Sequence, residues 1–362
     1  MKKIVITLFT VLMAIILLSG CAGQQAVETE NETIELVESE EREADTKIIT
    51  DIAGNEVEIT NNVEAVVNLW PASNAAMLCM GAGDLLVATT DFTKSLPWSQ
   101  FVYPDIVDIP TATDNVEELM EVKPDLIITP QNDLAISLRD AGLPAVNLMF
   151  ANYEDMKRAF AILGDALGEE YAIKAAKWSE MVDNNIAEVS AALGEIAEED
   201  KPIVYYIQGQ SNQGLYATFR GDSIMNDWVT YGGGIFASAL MELEGTEATA
   251  EEVLSLNPDV VIIGGPAQHE LYEELLADDA WVDINAVKNG RVFTNPNGLF
   301  PWERFGMESA LQIKFAASVI HPELYQVNLV AEVQDFYRDF VGIELTDEEA
   351  QNMINGYGPN GE

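Results

Sequence analysis

The chain carries one acidic-headed helix and strand pattern twice. NVEELMEVKPDLIITP occupies residues 115–130 and TAEEVLSLNPDVVIIGG residues 249–265. A constant offset of 134 residues brings Glu117 onto Glu251, Glu118 onto Glu252, and Pro124-Asp125 onto Pro258-Asp259. Each copy predicts the same local unit. Asn115 and Thr249 are good N-caps, and Glu118 and Glu252 fall at N3, where a glutamate can complete a capping box. The proline disfavours helix at the residue before it. The apolar run after Pro-Asp then reads as a buried strand. A chain that builds one helix–strand unit twice is constrained towards two similar lobes.

The remaining pattern agrees. Short runs rich in Val, Ile and Leu recur as AVVNL (65–69), LLVATT (85–90), LIIT (126–129), AVNLM (145–149), IVYYI (203–207), VVIIGG (260–265) and RVFTN (291–295). Their lack of alternation is that of strands buried on both faces of a parallel sheet. Helical spacing lies between them, around 73–81, 132–141, 153–167, 223–231 and 268–277. Strands alternating with helices specify α/β sheets. Residues 168–196 have no proline, and no glycine lies between Gly168 and Gly194. Some 25 helical residues would span roughly 37 Å, enough to cross a lobe. The expected fold is therefore α/β, two similar Rossmann-like lobes joined by a single long α-helix. The N-terminal lobe is expected at 47–168, the connecting helix at 169–196, and the C-terminal lobe with its C-terminal helices at 197–362.

The first 21 residues read MKKIVITLFTVLMAIILLSGC. Lys2 and Lys3 precede an apolar run that is short for a spanning helix and fits a secretory signal. Leu18-Ser19-Gly20-Cys21 resembles a bacterial lipobox, in which the cysteine thiol carries the lipid. Residues 1–20 are then a signal peptide, and Cys21 anchors the protein to the membrane without spanning it. Residues 21–46 are rich in acids and poor in large apolars, so they read as a disordered tether. The other cysteine, Cys79, lies in the apolar run AAMLCM and reads as a buried small hydrophobe. Cysteine thus offers neither a redox pair nor a metal cluster.

Charge excludes several functions. Sixty-one acidic residues face 18 basic ones, for a formal charge of −43. Nucleic acid requires a basic face, and anionic lipid would repel such a chain. No G-x-S-x-G elbow, H-E-x-x-H helix, P-loop or Cys–His pair is present, so no enzymatic activity is expected.

Together these features resemble the substrate-binding lipoproteins of bacterial ABC importers, the class that captures iron–siderophore complexes, haem and cobalamin. The resemblance covers about residues 48–342. ITDIAGNEVEIT (49–60) is similar to the family's D-x-x-G-x-x-V-x-I opening. AVVNLWPASNAAMLCMGAGDLLVATT (65–90) is similar to its first strand, helix and Leu-Gly-x-x-Asp-x-Val-Val segment, with Met80 where leucine is usual. The resemblance implies a monomer on the outer face of the cytoplasmic membrane, with no cofactor, working with ABC permease and ATPase subunits. It also implies that one acid on each lobe docks into the permease, and Glu117 and Glu251 match those positions. A glutamate at N2 is favoured by the helix dipole and can take a bidentate arginine.

Ligands of α/β sheets sit beyond the carboxyl ends of the strands. Reading those ends gives Trp70, Phe92 and Gln131 in the first lobe and His269 in the second, while Tyr216 and Arg220 lie in GLYATFRGDS, which reads as a hairpin running into a helix. The stretch NPNGLFPWERFGMESAL (295–311) adds Trp302 and Arg304. Rings beside an arginine suit a flat or metal-chelated anionic ligand; the alternative is Arg304 paired to Glu303 or Glu308. His269 and His321 are too far apart in sequence to suggest a site for a bare metal ion, so a metal is expected inside a chelate. The expected ligand is a ferric siderophore, haem or corrinoid, with a small oxyanion such as molybdate or tungstate as the alternative. The lobes are expected to tilt only modestly about a stiff helix.

Overall fold

The computed structural model describes residues 45–210, 213–243 and 245–362. The expected signal peptide, Cys21 and nearly all of the acidic tether lie outside the described residues. The described chain opens with an antiparallel hairpin, β1 (Thr46–Thr50) and β2 (Glu56–Thr60), in which Thr46 pairs with Thr60. The hairpin therefore takes in Thr46, which the sequence assigns to the tether. Its turn explains the D-x-x-G opening. Asp51 Oδ1 accepts from the amides of Ala53 at 3.0 Å and Asn55 at 2.9 Å, and Gly54 supplies the left-handed conformation with φ +88°.

Two parallel sheets follow. The first contains β3 (Val66–Asn68), β4 (Leu86–Ala88), β5 (Leu126–Thr129) and β6 (Ala145–Asn147), in the order β4-β3-β5-β6. The second contains β7 (Ile203–Ile207), β8 (Ile235–Phe236), β9 (Val260–Ile263) and β10 (Val292–Thr294), in the order β10-β9-β7-β8. Counted from its own first strand, each sheet has the same topology: the second strand, the first, the third, the fourth. The two-residue β8 is too short to leave a sequence pattern.

The duplicated motif occupies the third strand of each sheet and the helix before it. The helices Val116–Val122 and Ala250–Leu256 each end on a left-handed residue, Lys123 with φ 53° and Asn257 with φ 47°. The proline follows. The aspartate then pins the third strand to the first. Asp125 Oδ2 accepts from the amides of Glu64 and Ala65, both at 2.9 Å, while its own amide donates to Ala65 O at 2.8 Å. Asp259 repeats this on Ile203, accepting at 3.0 Å and donating at 2.8 Å. The caps differ. Thr249 and Glu252 form the full capping box. Asn115 accepts from Glu117 N and Glu118 N, but its own amide donates to Thr113 Oγ1 at 3.1 Å rather than to Glu118. The expected reciprocal box is therefore only half formed in the first copy.

The connecting helix runs from Glu169 to Leu193 and buries Ala175, Trp178, Val182 and Val189. Trp178 Nε1 donates to Met307 O at 2.6 Å and Asn185 Nδ2 to Ala310 O at 2.8 Å, which fixes it to the helix Ser309–Ile320. One apolar core runs through both lobes and takes in Val66, Ile128, Trp178, Val204 and Ile262. Each sheet also has a smaller core of its own on its other face. The C-terminal segment does not stay with the second lobe. Lys174 Nζ ties Phe340 O at 3.1 Å to Met80 O at 2.8 Å, and Trp98 Nε1 donates to Tyr357 O at 2.9 Å. Residues expected within the C-terminal lobe thus return onto the first. Among the described residues, no helix is long and apolar enough to cross a membrane.

Candidate ligand-binding site

The carboxyl edges of both sheets lie where the lobes meet. Trp70 follows β3 and is the N-cap of the helix Pro71–Cys79, whose first-turn proline fixes the chain direction. Phe150 follows β6. Both rings meet Phe305 from the second lobe, with centroids 5.9 Å from Trp70 and 5.3 Å from Phe150. Phe92, half exposed beyond β4, meets Phe300 edge-on at 6.5 Å. Aromatic side chains from both lobes therefore form the junction beneath the crest.

Polar groups stand beside this junction on the first lobe. A cavity of about 390 Å³ lies against the ends of β4 and β5, lined by Thr90, Asp91, Thr111, Asp114 and Gln131 among others. Thr111 Oγ1 donates to Asp91 Oδ1, and Lys94 Nζ lies 3.1 Å from the same oxygen. Those two contacts hold the Asp91 carboxyl below its ordinary pKa.

The second lobe presents a buried ion pair. Glu303 is fully buried. Its Oε1 accepts from Tyr206 Oη at 2.7 Å and from Arg304 Nε at 3.1 Å, and its Oε2 accepts from Asn295 Nδ2 at 2.7 Å. Gln312 Nε2 extends the network to Asn295 Oδ1 at 2.8 Å. The backbone leaves room for this only because residue 264 is glycine. A Cβ there would overlap the Tyr206 hydroxyl and lie 2.8 Å from Glu303 Oε1. The Arg304 guanidinium lies over the Phe219 ring at 5.4 Å. Burial works against its charge, but Tyr206 and Glu303 outweigh burial and raise its pKa above the ordinary arginine value. A second cavity, of about 330 Å³, follows β8 and holds Arg220, Asp222, Ser238 and Glu242. There Arg220 forks onto Asp222, Nε to Oδ1 at 3.1 Å and Nη2 to Oδ2 at 3.3 Å. A larger hollow, about 690 Å³, lies at the amino edge of the second sheet beside Lys201 and Gly233, away from both crests.

The sequence-derived candidates separate on this geometry. Phe92 and Gln131 are exposed at the first crest, Trp70 lies beneath it, 7% exposed and packed in the shared core, and Arg304 stands at the second. Arg220 stands at the second crest too, in the smaller cavity after β8. Three others are elsewhere. Trp302 is fully buried in the shared core, because the loop turns it inward, while the Arg304 side chain stays 17% exposed. Tyr216 packs on Trp281 at 5.8 Å in the separate core of the second lobe. His269 lies flat against Tyr357, ring centroids 4.1 Å apart, beneath the returning C-terminal segment. Sequence reading missed Asp114, Phe219 and Phe305 as crest residues. PTATD (110–114) carries a usable signal, a run of small hydroxyl residues ending in an acid. Among the described residues, no group of three or more His, Cys, Asp or Glu side chains is placed to hold a metal ion.

Glu117 and Glu251 are both exposed at the second position of their helices. Three residues on, Met120 is 47% exposed, and Leu254 stands at the matching place in the other lobe, half-buried.

Two like sheets, a single connecting helix and facing crests define a two-lobed α/β binding protein. The chain belongs to the periplasmic binding protein family, whose profile matches residues 60–299. Its relatives include the uncharacterized ABC transporter substrate-binding lipoprotein YvrC of Bacillus subtilis, 23% identical across 78% of this chain and 86% of that one. The molybdate-binding protein MolA of Haemophilus influenzae is 22% identical across 81% of this chain and 90% of its own. Its molybdate-bound structure superposes with a TM-score of 0.71 at 18% identity, covering 83% of this chain and 99% of MolA. The probable siderophore-binding lipoprotein YfiY of Bacillus subtilis is 25% identical across 61% of this chain and 66% of its own.

Proposed function

We propose that this protein is the extracytoplasmic receptor of an ABC importer and that it captures a metal chelate between its two crests. Of the relatives named above, one binds molybdate, one is a probable siderophore binder and one is uncharacterized, so this chain's own residues have to decide. The observation that carries the proposal is the pairing of Arg304 with buried Glu303. Free guanidinium donors and positive charge would favour a small oxyanion. Here Arg304 and Arg220 each have a carboxylate of their own. Half-exposed Phe92 and partly buried Phe305 suit a larger ligand with apolar faces.

The mechanism is capture without covalent chemistry. The ligand settles on the crests, the lobes adjust slightly, and Glu117 and Glu251 seat the complex on the permease. Lipid on Cys21 would hold the protein at the membrane surface, and ATP would be hydrolysed by a partner subunit.

Uptake tests this reading. A strain lacking the gene should fail to accumulate one iron or cobalt chelate from a panel, and the restored gene should recover uptake. Gene-dependent accumulation of molybdate or tungstate alone would replace this reading with the oxyanion receptor.

A further inference from the structure

Taking the cleft proposed above as the ligand site, we infer that its ligand is an uncharged or cationic chelate and not an anionic one. Counting charges at the two crests leads there. On the first, Asp91 and Asp114 line the cavity. The nearby cation, Lys94, already contacts Asp91 at 3.1 Å and Thr111 at 2.7 Å. Asp114 makes no ion pair among the described residues. On the second crest, Arg220 is forked onto Asp222, and Glu242 shares that cavity without an ion pair among the described residues. Arg304 is held by Glu303, which has no access to water.

Every guanidinium at the crests is therefore matched by its own carboxylate, and two acids remain over. An anion recruiting Arg304 would have to pull it from a buried partner, leaving Glu303 uncompensated. An anion entering the first cavity would meet Asp114, unpaired among the described residues, beside an Asp91 already matched by Lys94. The long-range field of a chain with formal charge −43 adds to the repulsion. A cation or a neutral amide- and hydroxyl-rich chelate meets the opposite situation. Threonine hydroxyls and the Gln131 amide can donate or accept, and Asp114 supplies an attractive charge. This reverses the expectation of an anionic ligand drawn from the arginine alone.

Calorimetric titration of the purified full chain against a charge series tests the inference. The probes are a monocationic ferric trihydroxamate, a neutral corrinoid, dianionic haem, a trianionic ferric tris-catecholate, and molybdate. The expected result is binding confined to the cationic or neutral probes, with the anionic probes at least tenfold weaker. If the cationic probe binds, Asp114→Asn should weaken it severalfold and reduce its salt dependence, while a neutral probe changes less. Tightest binding of haem or the tris-catecholate would overturn the charge assignment while leaving chelate capture standing. Binding of molybdate alone, or of none of the probes, would overturn the capture reading itself and this inference with it.

Discussion

Arg304 donates from Nε to Oε1 of Glu303 across 3.1 Å, and the carboxylate it meets is fully buried. This pair joins the crest of the second lobe to a network through Tyr206, Asn295 and Gln312. It makes the arginine part of the fold before it is part of any site. Arg304→Met should therefore cost about 3–5 kcal/mol of stability, because it leaves a buried charge without its partner. The double variant with Glu303→Gln should recover much of that loss. Urea unfolding reads both, and a single-variant loss below about 1 kcal/mol would show that the pair behaves like an exposed one.

Glu308 gives a stability that depends on pH. Its carboxyl is fully buried, and burial pushes its pKa up to about 7, against the hydrogen bonds from Tyr337 Oη at 2.6 Å and Leu299 N at 2.7 Å. A folded pKa above the unfolded one means that the native state holds the proton more tightly. The contribution is fully present below the ordinary carboxyl value of 4.5 and is lost as pH rises through about 7. The difference corresponds to about 3 kcal/mol. Stability should fall over that window, and Glu308→Gln should flatten the fall. Melting curves across the window check it; an unchanged slope in the variant would assign the dependence to other groups.

The C-terminal return should restrain the lobes. Ending the chain at Gly356 removes the Trp98–Tyr357 hydrogen bond of 2.9 Å and the stack of Tyr357 on His269 at 4.1 Å. The hydrogen bonds from Tyr357 N to Asn352 O at 2.8 Å and from Asn352 Nδ2 to Pro359 O at 3.2 Å go as well, so a loss of about 2–4 kcal/mol is expected. Spin labels placed on the two lobes should report a broader distance distribution in the shortened chain. An unchanged distribution would leave the restraint to the shared core alone.

Docking separates from binding. Reversing both charges, Glu117→Lys with Glu251→Lys, should leave chelate affinity within twofold and abolish uptake in cells. Both side chains are exposed, so the cost should be confined to the two helix N-termini, about 1 kcal/mol at each. Uptake at the native rate would remove these two residues from the permease contact.

Much of the framework is legible in the sequence because single residues with strong local preferences mark it. LIIT and IVYYI are strands at the residues expected, and the helix Tyr153–Leu167 begins at the cap Asn152. The Pro-Asp repeat is visible because proline and a strand-pinning aspartate are needed at the same place in each lobe. The crests are less legible. Trp302 and Phe305 are both aromatic and three residues apart, yet the first lies in the core and the second at the lobe junction. Only the path of the loop decides between them. His269 shows the same limit: its neighbour Tyr357 comes from the far end of the chain, and no local pattern announces it.

The central claim is capture of a metal chelate, and tryptophan fluorescence of the purified protein tests it most directly. Trp70 touches Phe150 and Phe305 at the lobe junction, so a ligand seated on the crests should alter its emission. Titration with ferric siderophores of several types, haem, a corrinoid, molybdate and tungstate should give saturable quenching by one chelate and no response to either oxyanion. Saturable response to molybdate or tungstate, with none to any chelate, would contradict the account.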